Sequence, residues 1–205
     1  MEETLRDLDR ARELLARGDA SSRAAARDGL ERLADRAGSD PALLDEVSGL
    51  LLQAGRFEAA QRAAERWLAV EKTPAGLCRI GECLRELAQY EKALLYFQRA
   101  VHQDRECVPA LCGAGSCLVA SGYVVEGLMA VGQALHEDEA FAEAHRVLAV
   151  GLLRQGAVEQ AEAAALEALR LAPEAAEMQA ALGLARMKQD RLEEAEALLR
   201  CSVET

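Results

Sequence analysis

The chain contains no asparagine, only four prolines, and aromatic residues at just 3% of its 205 positions. With so few aromatics, the apolar half is mostly Ala, Leu and Val, which suits close helix packing better than a sheet. No run approaches the ~20 uninterrupted apolar residues of a membrane span, so no membrane insertion is expected. The charged opening, Met1 through Leu8, lacks an apolar signal core, and a cytoplasmic location is expected from it. Basic residues are in deficit as well. The 24 Lys and Arg face 35 Asp and Glu, and the resulting charge of −11 has the wrong sign for nucleic acid or an anionic membrane surface.

Catalytic patterns are missing too. There is no glycine-rich phosphate loop, no Ser-His-Asp arrangement and no pair of carboxylates in one cleft, so no enzymatic activity and no cofactor are expected. The six cysteines show no CxxC spacing and no zinc pattern with His, and no metal site is expected. In a helical chain of this size they read as reduced thiols rather than staples. Cys78 and Cys83 are five residues apart, a turn of ~140° on a helix, so the two cannot face one ligand. His102 and His136 read as surface loop-end residues, and His145 as a packing residue.

What the chain does have is a period. Segments beginning at Leu44, Leu77, Leu111, His145 and Gln179 follow one another at steps of 33, 34, 34 and 34 residues. Ser48, Gly81, Gly115, Ala149 and Gly183 form one series of small residues. Ala60, Ala93, Gly127, Ala161 and Ala195 form a second, twelve residues on. Small side chains at regular intervals let two helices approach at the near end of the ~8–10 Å range. Between the two series lies a turn, with Gly55, Gly122 and Gly156 at one phase, where a left-handed residue ends a helix. Ala88 and Asp190 hold that phase in the other two units and must adopt a costlier conformation or a different turn. Leu51, Leu84, Leu118 and Leu152 complete the helical stripe. Pro41, Pro74 and Pro109 open units and Pro173 closes one.

This pattern resembles the tetratricopeptide repeat family, whose period is 34 residues. The unit from Ala142 through Pro173 carries the likeness best, in Leu148, Ala149, Leu152, Gly156, Ala161, Ala168, Leu169 and Pro173. Trp67, His145 and Arg186 depart from the family's usual residues. The resemblance implies an all-α fold: a right-handed superhelical solenoid of antiparallel helix pairs. Five repeats are expected at about 41–73, 74–107, 108–141, 142–175 and 176–205. Residues 1–40 read as a degenerate pair of capping helices, about Glu2–Arg17 and Ser21–Ala37.

The resemblance also implies a function. The first helix of each pair would line a concave groove that binds a peptide segment or helix of a partner protein. Carried over by phase, the lining comprises Leu52, then Cys78, Glu82 and Arg85, then Cys112, Ser116 and Val119. It continues with Arg146, Val150, Leu153 and Arg154, and ends with Met187 and Lys188. This gives an acidic first part (with Asp45 and Glu86), an apolar middle and a basic end. Arg146 and Arg154 either face an acidic stretch of the partner or pair with neighbouring Glu. Cys78 and Cys112, stacked on the groove, are better placed to react than Cys83 and Cys117, which read as small buried fillers; whether they do react the sequence leaves open. The family's clamp for acidic chaperone tails needs Asn, which this chain lacks. The expected role is a non-catalytic scaffold, adaptor or chaperone. Alternatives are a recruitment domain of a larger enzyme, or a scaffold that self-assembles through the apolar side of its last helix, Leu198 to Val203.

Overall fold

The computed structural model describes residues 2–173 and 176–204. Among the described residues there are twelve helices and no strand. In chain order they are α1 (Glu2–Arg17), α2 (Ala20–Arg36), α3 (Pro41–Gln53), α4 (Phe57–Val70), α5 (Pro74–Glu86) and α6 (Tyr90–Gln103). These are followed by α7 (Val108–Ala120), α8 (Val124–Glu137), α9 (Ala142–Gln155), α10 (Val158–Leu171), α11 (Ala176–Lys188) and α12 (Leu192–Glu204). The helices group into two compact units, one ending at Gln103 and one beginning at Asp104.

Helix starts follow local chemistry. Asp40 accepts from the backbone N–H groups of Ala42 and Leu43, with Pro41 as the first residue of α3. Thr73 does the same for Gly76, with Pro74 opening α5. In both cases the side chain satisfies donors that a helix leaves unpaired, and proline sits where no N–H is needed. Asp19 caps α2 through Ser22. The hydrogen bonds from Ser21 and Ser22 hold its carboxyl well below the usual carboxylate range.

The turn inside each pair is the same five times over. Gly55, Gly122 and Gly156 are left-handed, and so are Ala88 (φ 56°) and Asp190 (φ 64°). The next residue's N–H then reaches back to a carbonyl five residues earlier. This joins Arg56 to Leu51, Gln89 to Leu84, Tyr123 to Leu118, Ala157 to Leu152 and Arg191 to Arg186, at 2.8–3.0 Å. Of the two options open to Ala88 and Asp190, the chain takes the strained residue and keeps the turn.

In the first unit, α1, α3 and α5 form one row of adjoining helices, with α2, α4 and α6 packed against it. Leu8, Leu30, Leu33, Leu44, Val47, Leu51 and Trp67 build its core. Trp67 is accommodated because it lies against Gly76 at the start of α5. In the second unit, α7, α9 and α11 form the corresponding row. One of its apolar clusters is Ala149, Ala164, Ala165, Ala181 and Leu182, with Leu148, Leu152, Leu169 and Leu198 packed on them, and Leu111, Val131 and Val147 are buried nearer its start. Helices α7 and α8 approach closely at two glycines. A Cβ on Gly115 would lie 2.9 Å from the Gly127 carbonyl oxygen, and one on Gly127 would lie 2.9 Å from that of Gly115.

Arg186, unusual for its phase, is nearly buried and joins three helices. Its guanidinium contacts Glu162 of α10 at 2.7 Å and also pairs with Glu194 of α12. Arg191 closes the cluster on the same two carboxylates, at 3.1 and 2.8 Å. Charge replaces apolar packing at that end of the second unit.

Candidate functional site

The groove expected from the repeat corresponds to the exposed side of each row of first helices. In the first unit it is occupied by the protein's own ion pairs. Arg79 of α5 lies across Gly49 of α3, where an added Cβ would come within 3.3 Å of Nη2. Its guanidinium sits 3.4 Å from Asp45 Oδ1 and 3.4 Å from Glu82 Oε2. Arg85 pairs with Glu86 at 3.1 Å. The expected acidic stretch is therefore mixed in sign, because Arg79 stands among the carboxylates. Nothing in the period marks Arg79, and the only trace in the sequence is a glycine at 49 within a helix. Leu52, Glu82 and Arg85 are half-buried on this face.

In the second unit the row is more apolar and more open. Ser116 of α7 and Val150 and Leu153 of α9 are half-buried. On α11, Leu184 and Met187 remain 39% and 43% exposed, and Lys188 beside them is exposed. Three expected lining residues are not at the surface. Cys78, Cys112 and Val119 are 5%, 1% and 2% exposed, so a partner has almost nothing of them to touch. All three are short, and they tuck into the packing, whereas longer side chains at the same phases emerge. Val119 is also held where its Cγ2 would meet a Cβ on Gly127 at 2.7 Å.

The two arginines of α9 behave differently from each other. Arg146 is engaged by Glu143 of its own helix, through bonds of 2.7 and 2.5 Å. Arg154 is exposed and donates to the carbonyl oxygen of Val119, with Ala120 O at 3.4 Å. It thereby satisfies the end of α7, where carbonyls lack partners and a cation is favoured. Arg27 and Arg66 act similarly in the first unit. Arg27 donates to Ala54 O at 2.7 Å, and Arg66 donates to Ala34 O and Gly38 O at 2.6 Å each.

Cys83 is fully buried, and burial pushes its thiol up to about 12, with Glu82 adding to the effect. Cys117 is fully buried as well. His145 places Nε2 2.8 Å from the Glu139 carbonyl. No group of His, Cys, Asp and Glu that could hold a metal occurs among the described residues. No described helix is long and apolar enough to cross a membrane. On α12, Leu198 packs on the core and Leu199 lies against Gly183, which leaves less of that helix uncovered than its sequence implies. The side chains of Ser202 and Val203 lie outside the described ones. An apolar surface that the period did not reveal stands at the start of α8, where Tyr123, Val125 and Met129 are exposed.

Residues 75–107 match the tetratricopeptide repeat model. The chain is similar in structure to TTC0263, a thermophilic TPR protein of Thermus thermophilus, with 22% identity and a TM-score of 0.73 over 80% of this chain and 90% of that one. A tetratricopeptide repeat protein from Parabacteroides merdae matches over 98% of this chain and 78% of its own, at 15% identity and a TM-score of 0.63. YrrB, described as a TPR protein with an unusual peptide-binding site, matches over 90% of both chains at 19% identity and a TM-score of 0.55. No curated protein sequence matches the chain.

Proposed function

We propose that the chain, which matches the tetratricopeptide repeat model over residues 75–107 and shares the fold of TPR proteins, is a non-catalytic interaction module that binds a segment of another protein on the α7–α9–α11 face. The observation that carries this reading is the apolar, open part of that face. Leu184 and Met187 are exposed on α11, and half-buried Val150 and Leu153 stand on the adjoining α9. Exposed apolar side chains grouped on one face favour a partner that covers them. Arg154 and Lys188 border the patch, so an apolar segment flanked by acidic residues suits it best. YrrB, of similar fold, is described as having a peptide-binding site, which supports a peptide as the partner's form.

The test is capture of partners by the tagged full chain, with mass spectrometry, beside the Leu184→Glu/Met187→Glu double variant. Both positions are exposed, so the variant keeps its helical circular dichroism. Partners that dock here lose affinity by about tenfold or more, as expected when apolar anchors are removed. Unchanged affinity for every captured partner discards this face.

A further inference from the structure

The outward side of α8 differs from that of the other second helices. In α4, α6, α8, α10 and α12 the second, sixth and ninth residues are all exposed, so these phases mark the side each hairpin turns to solvent. The second residue is a glutamate in four of the five: Glu58, Glu91, Glu159 and Glu193. The dipole of a helix N-terminus favours a carboxylate there. Helix α8 has Val125 instead, followed by Met129 and Gly132 where α4 has Arg62 and Glu65. Val125 and Met129 are 60% and 66% exposed, and Tyr123 before them 60%. In a chain that is 29% charged, none of the three phases of α8 carries a charge. Apolar side chains grouped in this way favour a cover.

Gly132 points to a helix as that cover. A glycine inside an exposed helix costs stability relative to alanine, and nothing stands within 4 Å of where its Cβ would be. Its own hairpin gives no reason for it. A second helix laid across α8 does, since it can approach closest where there is no side chain.

The order of residues selects the second helix. Val125, Met129, Gly132 and His136 are all exposed and lie 4, 3 and 4 residues apart, the spacing of a heptad seam. That spacing reads the same from either end. Laid antiparallel on a copy of itself, the seam sets Met129 of each chain on Gly132 of the other, a long side chain on a residue without one. Val125 then meets His136. Glu126, beside the seam, falls near Gln133 and His136 of the copy, whose N–H groups suit a carboxylate. A parallel pairing would set Gly132 on Gly132 and leave a gap. Charge favours the same contact. At a net −11, two copies repel over much of their surface, and along this seam no carboxylate opposes another.

We propose that the chain forms a two-fold homodimer by antiparallel pairing of α8 with α8 of a second copy. One helix of 14 residues, about 21 Å long, offers less area than the ~800 Å² per partner of a standard complex. The dimer is therefore weak, with a Kd of roughly 10–100 µM, and the chain is monomeric near ~1 µM. This contact lies apart from the α7–α9–α11 face, and neither assignment needs the other.

The test is sedimentation equilibrium of the full chain in reducing buffer, from about 1 to about 500 µM, beside three variants. The native chain passes from monomer to dimer and no further, because a two-fold contact closes on itself. Met129→Glu buries unpaired carboxylates at the seam and weakens dimerisation by about tenfold or more. Gly132→Gln gives α8 the residue that α6 has at this phase, Gln98. It raises the urea midpoint measured near ~1 µM, through helix propensity, yet weakens dimerisation by about tenfold or more, a combination that a purely structural role does not produce. Leu95→Glu removes a side chain 60% exposed at the position of α6 that corresponds to Met129, and leaves dimerisation unchanged. The proposal is overturned if the native chain stays monomeric throughout, if association continues past the dimer, or if either α8 variant associates as the native chain does. It also fails if Leu95→Glu weakens association as much as Met129→Glu.

Discussion

At the scale of single residues, the five turns offer a controlled comparison. Three use glycine in the left-handed region, while Ala88 and Asp190 occupy it with a Cβ. For alanine that conformation costs about 1–2 kcal/mol. Glycine relieves the cost but gives back part of the gain through a freer unfolded chain. Ala88→Gly is therefore expected to stabilise the protein by about 0.5–1 kcal/mol in urea unfolding. Asp190→Gly should gain less, since aspartate tolerates this region better than alanine. The thiols give a second comparison. Cys201 is exposed, whereas Cys78, Cys83, Cys112 and Cys117 are buried, and burial pushes the Cys83 thiol up to about 12. Only a thiolate alkylates readily. Brief iodoacetamide treatment of the folded chain at pH 8, read by peptide mass spectrometry, should label Cys201 first and Cys83 last. Labelling of Cys78 or Cys112 as fast as Cys201 would contradict their burial. The sequence placed Cys83 and Cys117 correctly as small fillers. It misplaced Cys78 and Cys112 because phase alone does not tell a short side chain, which stays between helices, from a long one that reaches the surface.

Between elements, the distance separating paired helices depends on a few glycines, and α8 contains both kinds. A Cβ on Gly127 would lie 2.7 Å from Val119 Cγ2, 2.9 Å from the Gly115 oxygen and 3.0 Å from the Val119 nitrogen. Two of those atoms are backbone, so α7 itself must move. Gly132, five residues on in the same helix, has nothing within 4 Å of its would-be Cβ. Gly127→Ala should cost about 1–3 kcal/mol through overpacking, while Gly132→Ala should gain about 0.5–1 kcal/mol through helix propensity. Urea midpoints of the two variants give opposite signs if the close approach of α7 and α8 is real, and both rise if it is not. Contacts of this kind were legible, because the twelve-residue interval between Gly115 and Gly127 recurs in every unit. The arginines were not. Arg154 on the end of α7, Arg66 on the end of α2 and Arg79 across Gly49 each act on another helix. Their roles depend on which carbonyl or carboxylate lies within reach once hairpins are stacked, and no local spacing records that.

For the whole molecule, the period mattered more than any single residue. Each hairpin packs chiefly on those next to it in its own unit, so stability accumulates along the chain rather than in one shared core. This predicts an unusual response to truncation. Removing α11 and α12 from a protein with one central core would unfold all of it. Here the loss is local: Ala164, Ala165, Leu169, Leu148 and Leu152 lose their cover of Ala181, Leu182 and Leu198, and Glu162 loses Arg186 and Arg191. A chain ending at Leu171 should keep the circular dichroism of ten helices while exposing a new apolar end, since terminal repeats need a polar outer face to remain soluble. Light scattering should then report self-association that the full chain does not show at the same concentration. Restoring polarity separates the two effects: Leu152→Glu/Leu169→Glu in the truncated chain should suppress association and retain the helical signal. If truncation instead abolishes the helical signal, the hairpins fold only as one body, and the nearest-neighbour account of this protein fails.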